Sequence, residues 1–154
     1  MIFRALLVLP LLLAAACAPR RIPGTELPDN NDTRAILSIM ERYRTALEAR
    51  DAKAIQALVS EDFKEDAGTE SPDDDLTYAN LPTRLANTLP KLDNPKVELS
   101  VRRVDIEDET ATAIYFWNAS WRLPSLTTRP QSDSELEQMQ LKKIKGEWKI
   151  VSGI

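Results

Sequence analysis

The chain is predicted to fold as an α+β domain, with three N-terminal helices followed by a strongly bent antiparallel sheet of about four strands. Apolar residues recur at three- and four-residue spacing as far as Leu89, and from Val97 onward they alternate with polar ones. The alternation changes phase once, at Arg102-Arg103. Helices therefore precede strands, and the sheet turns sharply where the phase slips.

The first helix is expected to begin near Asp32 or Thr33, either of which can cap it, and it places Ile36, Ile39, Met40, Tyr43 and Leu47 on one face. Glu41, Arg42, Arg44, Glu48 and Arg50 fall on the other. The Arg44 and Glu48 pair, four residues apart, reads as a solvated face. Asp51 can cap a second helix whose stripe is Ala54, Ile55, Leu58 and Val59, running to about Ser60, with Phe63 closing the unit. A third helix is expected between about Leu76 and Leu89, where Leu81, Leu85 and Leu89 repeat, provided that Pro82 lies in its first turn. Between the last two, Glu65 to Asp75 is acidic, contains Gly68 and Pro72, and reads as a mobile loop. Its Asp73-Asp74-Asp75 run could attract calcium, but it lacks the glycine turn and distal glutamate of an EF-hand loop, so a capping, solvated cluster is preferred.

In the second half, Val97, Leu99 and Val101 share one parity and Val104 and Ile106 the other, which is what one inserted residue does to a strand. A turn is expected at Glu107-Asp108-Glu109. Thr110 to Leu123 is a long β-rich segment with Tyr115, Trp117 and Trp121 on one parity and Ile114 and Phe116 on the other, so both faces need partial cover. A loop with Pro124 and Pro130 leads to a strand from about Ser134 to Lys145. After a tight turn at Gly146 comes a last strand in which Trp148, Ile150, Ser152 and Ile154 alternate.

The start of the chain has a different character. Arg4 precedes an apolar run from Ala5 to Ala16, too short to span a bilayer, which ends in Ala14-Ala15-Ala16 before Cys17. This resembles a bacterial lipoprotein signal peptide, with Ala14 standing where leucine is commonest. The resemblance implies removal of residues 1–16, acylation of Cys17 and insertion of its acyl chains into membrane lipid. An ordinary secretory signal cut near Ala16 is the alternative. Cys17 is the single cysteine, so no internal disulfide can form and acylation accounts for its sulfur. Ala18 is not the aspartate that resembles an inner-membrane retention signal. The expected address is therefore the cell envelope, on the periplasmic face of the outer membrane if the cell has two membranes. Residues 17–31 read as the lipidated cysteine and a flexible, proline-bearing tether, and residues 32–154 as one domain.

Without residues 1–16 the chain keeps 19 basic against 24 acidic residues, a formal charge of −5. That balance argues against nucleic acid, which needs a basic face, and against an extended contact with anionic lipid beyond the anchor. The chain has no histidine, which excludes Ser-His-Asp hydrolysis and histidine-ligated zinc. Its four glycines are scattered and make no phosphate cradle. No metal and no cofactor are expected.

The stretch IMERYRTALEARDAKAIQALVSEDF, from Ile39 to Phe63, and the closing hairpin LEQMQLKKIKGEWKIVSGI, from Leu136 to Ile154, resemble the nuclear transport factor 2-like superfamily, also called cystatin-like cone proteins. The resemblance spans Asp32 to Ile154. It implies a bent sheet wrapped around the helices as a cone whose mouth leads to a pocket. The superfamily includes enzymes, ligand binders, assembly domains and transport factors, so the fold alone does not choose a function. Members that rely on a pocket histidine are excluded here.

Similarity to ketosteroid isomerase places Tyr43 at that family's helix-one tyrosine, Asp66 one residue from its catalytic aspartate and Glu137 at its oxyanion-stabilising aspartate. Carboxylate-mediated proton transfer in the cone is therefore one reading. Each residue also has an ordinary role: rim packing for Tyr43, an acidic loop for Asp66 and a polar strand for Glu137. Tyr43, Tyr115, Trp117 and Trp121, together with Trp148, could instead line the cone and bind a small apolar or sugar-like ligand, with core packing as the alternative. The reading preferred from sequence is a lipid-anchored, non-catalytic module for a partner protein or small ligand, with a homodimer or an envelope protein as candidate partner. A catalyst would bring Tyr43, Asp66 and Glu137 to one apolar pocket, whereas a protein-binding module would show a filled cone and an exposed apolar sheet face.

Overall fold

The computed structural model describes residues 20–66, 74–123 and 129–154. The leader, Cys17, Gly68, Pro72, Asp73 and Pro124 lie outside the described residues. Helices α1 (Asn31–Ala49), α2 (Ala52–Leu58) and α3 (Leu81–Thr88) precede a four-stranded antiparallel sheet of β3 (Asp93–Glu107), β4 (Thr110–Arg122), β5 (Gln131–Ile144) and β6 (Glu147–Ser152). A second, two-stranded sheet pairs β1 (Lys64–Glu65) with β2 (Leu76–Thr77). The predicted α+β order is observed.

Helix α1 starts slightly before Asp32 because Asn30 supplies the cap, its Oδ1 accepting the Thr33 N–H at 2.8 Å. Asp32 is thereby free to work elsewhere. The helix ends at Arg50 in a left-handed conformation, and Asp51 accepts the Lys53 and Ala54 N–H groups to start α2. Residues 20–30, expected as extended tether, instead turn back through Gly24, pair Arg21 with Pro28 and bury Leu27 to 3 % exposure. An apolar side chain beside a glycine able to adopt positive φ is better packed than left in water.

The third helix is shorter than its leucine spacing predicts. It begins at Leu81, with Pro82 in its first turn, because Leu76 and Thr77 are drawn into β2 against Lys64 and Glu65. The expected acidic loop is thus closed at its base. Lys64 Nζ meets Asp75 at 2.8 Å.

In the large sheet, Val101 pairs with Tyr115 and Arg103 with Ile114, which leaves Arg102 as the extra residue of a bulge at the predicted phase slip. The sheet bends there. Its concave face covers α1, and the core holds Ile36, Met40, Ile55, Met139, Leu141 and Ile150, each at most 1 % exposed. Polar contacts fasten both ends of α1 to the strands. At one end, Asp32 Oδ1 accepts both Lys143 Nζ at 2.7 Å and Trp148 Nε1 at 2.8 Å. At the other, Glu48 accepts the Val97 N–H at 2.9 Å while holding Arg44 at 2.9 Å, so a residue read as solvated docks the helix on β3.

Strand β6 is short. It pairs with β5 from Gln140 to Ile144, so residues 131–139 of β5 have no strand on that side among the described residues.

Candidate functional site

Helix α1 brings Tyr43 into the cone, β4 brings Tyr115, β5 brings Glu137 and β1 brings Glu65. Tyr115 and Glu137 are cross-strand partners. Their meeting point is organised by the chain end: the Gly153 N–H donates to Glu65 Oε2 at 2.5 Å, and the Tyr115 hydroxyl donates to the Gly153 carbonyl at 3.2 Å. Only glycine fits there. Residue 153 has φ +89°, and a Cβ would stand 2.0 Å from the Gln138 carbonyl oxygen.

The electrostatics follow from burial and from like charges. Tyr43 is 5 % exposed and its hydroxyl is pushed far up, first by burial and then by Tyr115, Glu137 and Glu65 nearby. Burial likewise raises Tyr115, with Glu137 and Glu65 adding to it. Both phenols stay neutral. Glu137 is half-buried and its carboxyl is raised above the ordinary carboxylate range by burial, then by Glu135, Asp133 and Glu65.

The residues singled out from sequence are not gathered in one place. Tyr43 and Glu137 share an electrostatic environment, but Asp66 is exposed, and Glu65, one position earlier, faces the chain end. At the mouth is a pocket of about 660 Å³ bounded by Tyr43, Ile55, Glu65, Leu81, Leu85 and Ile154, with neither Glu137 nor Asp66 in its wall. The aromatic set also divides. Tyr115 is buried, Trp117 packs half-buried against the core, and Trp121 sits half-buried near the end of β4 opposite Gln131. Trp148 is buried with its N–H held by Asp32. Glu65 and Gly153 escaped the sequence reading. The one available signal was the near match at Asp66, which lies next to Glu65 in sequence but does not single it out.

The convex face differs. Phe116 and Leu136 are cross-strand partners there, 37 % and 62 % exposed, and the Arg102 guanidinium lies 5.9 Å from the Phe116 ring centre. Among the described residues no group of three or more acidic, cysteine or histidine side chains could hold a metal ion, and no helix is long and apolar enough to cross a membrane.

No protein-family model and no curated protein match the chain by sequence. Solved structures do match by fold. A conserved protein from Planctomyces limnophilus superposes with a TM-score of 0.68 at 12 % identity, covering 79 % of this chain and 92 % of the other. A nuclear transport factor 2-like superfamily protein from Salmonella enterica gives 0.66 at 16 %, covering 78 % and 86 %. A protein from Novosphingobium aromaticivorans named as a candidate scytalone dehydratase gives 0.63 at 19 %, covering 79 % and 80 %. At such identities the likeness establishes the fold, which is the nuclear transport factor 2-like cone.

Proposed function

We propose that this protein is a lipid-anchored envelope module that holds a partner protein, or a second copy of itself, on the outer face of its sheet. The carrying observation is the Phe116 and Leu136 pair, two large apolar side chains in register and exposed on a convex face. Catalytic use of the cone is disfavoured by the exposure of Asp66 away from Tyr43 and Glu137, and the lack of any histidine argues against a histidine-dependent activity, so the dehydratase likeness carries no activity across. Cys17 supplies the anchor in this reading, with its acyl chains in the membrane and the domain on the envelope side.

Two measurements test it. Replacing Cys17 with serine is expected to block processing or release the protein from membranes, and unchanged retention would refute the anchor. For the domain, analytical ultracentrifugation of the protein and of its Phe116→Glu and Leu136→Glu forms is expected to show self-association lost in both. If the protein is monomeric throughout, intact-cell cross-linking from residue 116 must find a protein partner, and silence in both removes the reading.

A second reading, proton transfer of the ketosteroid isomerase kind, draws on the raised Glu137 carboxyl beside two neutral phenols. It requires Glu65 to act in place of Asp66. It predicts hydrogen exchange at the α-carbon of an apolar ketone that is lost in Tyr43→Phe, and no exchange above buffer would close it.

A further inference from the structure

Residues 131–137 of β5 form a bare strand edge among the described residues, because β6 stops at the Gln140 to Ser152 pair and the chain end then passes beside Gln138. Such an edge offers unpaired backbone N–H and C=O groups to any extended segment. The side chains along it are sorted by face. Asp133, Glu135 and Glu137 alternate on the concave side, where they stand opposite Ala119, Trp117 and Tyr115, while Leu136 projects from the convex side. Asp133 and Glu135 are exposed and Glu137 half-buried. No lysine or arginine lies between Gln131 and Gln140, so these carboxylates face one another along the strand.

We propose that this edge takes up an extended segment of a partner protein as an added strand, with basic residues at alternate positions and apolar residues between them. The periodicity is what selects this partner. Successive same-face residues of a strand are about 6.6 Å apart, so an added strand presents alternate side chains at the pitch of Asp133, Glu135 and Glu137. Its cations would pair with the carboxylates, and an arginine opposite Glu135 would also reach the half-buried Trp117 ring. Its intervening apolar side chains would fall beside Leu136 and extend the exposed Phe116 and Leu136 surface. The inference rests on reading the domain as a protein-binding module and names the chemistry of its partner.

The test uses the protein as isolated from cells in detergent and a fluorescein-labelled peptide of about seven residues, alternating arginine and valine, matched to the length of the bare edge. Fluorescence anisotropy should show binding that weakens with salt, and hydrogen exchange should show new protection within residues 131–137. A peptide with glutamate for arginine, and one N-methylated at alternate backbone amides, should both fail to bind. Glu135→Lys, a change at an exposed position, should weaken binding about tenfold. No binding, protection located elsewhere, or equal binding by the N-methylated peptide would each overturn the proposal. Loss of self-association in Phe116→Glu alongside any of those results would leave the convex-face reading standing and remove this one alone.

Discussion

The two ends of β5 are built on opposite principles. At the end paired with β6, Lys143 and Trp148 both donate to Asp32, so these three groups satisfy one another and helix α1 is pinned to the hairpin. At the other end, Asp133, Glu135 and Glu137 face one another, and Leu136 stands 62 % exposed. One strand thus divides into a part that holds the fold together and a part that tolerates repulsion and exposure. The proposed binding surface lies in the second part.

The largest expected effect lies at the junction of the two ends. Gly153→Ala puts a methyl group into the Gln138 backbone at a left-handed position, so chemical denaturation should show a loss of about 3 kcal/mol. Next comes Trp148→Phe, which leaves Asp32 without one of its two donors and should lower stability by about 2 kcal/mol. Glu48→Ala removes the acceptor of the Val97 N–H and should lose about 1 kcal/mol. A stability of Glu48→Ala equal to the parent would mean that the C-terminal end of α1 is held on β3 by apolar packing alone.

The smallest effect sharpens the contrast most, because the two ends should respond to acid with opposite sign. Hydrogen bonds from Lys143 and then Trp148 hold Asp32 below its ordinary value of 3.8, so its contribution is present above that value and fades as pH falls through the folded-state pKa. Glu137 is raised above 4.5, so the folded state disfavours its charge. Its penalty is absent below 4.5 and grows as pH rises through the folded-state pKa. Glu137→Gln should therefore be neutral or slightly stabilising near pH 7. Carboxyl carbon titrations by NMR should find Asp32 low and Glu137 high, and the same direction for both would dissolve the contrast.

The chain's large-scale order was readable because periodicity reports it directly. The bulge at Arg102 follows from the change in parity between Val101 and Val104, and Asp51 announces the start of α2 by its residue type. Short or long-range features left no such trace. Strands β1 and β2 are two residues each, too brief for any period, so Leu76 was assigned to a helix and Glu65 to a loop. Leu27 sits alone among prolines, with no neighbour in sequence to mark it as core. Asp32 meets Trp148 across most of the chain, and the glycine at 153 matters only because β5 passes beside it. Helical spacing puts Tyr43 on the buried face of α1. Which carboxylate would join it depended on strand register that residue types alone do not encode.

The proposed binding surface lies on the outside of the sheet, near β5, and not at the mouth of the cone. A photoactivatable cross-linker at Leu136 in intact cells, compared with one at Thr83 in the wall of the mouth, tests it most directly. A discrete protein adduct is expected from position 136, lost in Phe116→Glu, with no adduct from position 83. An adduct from position 83 with none from position 136 would contradict it.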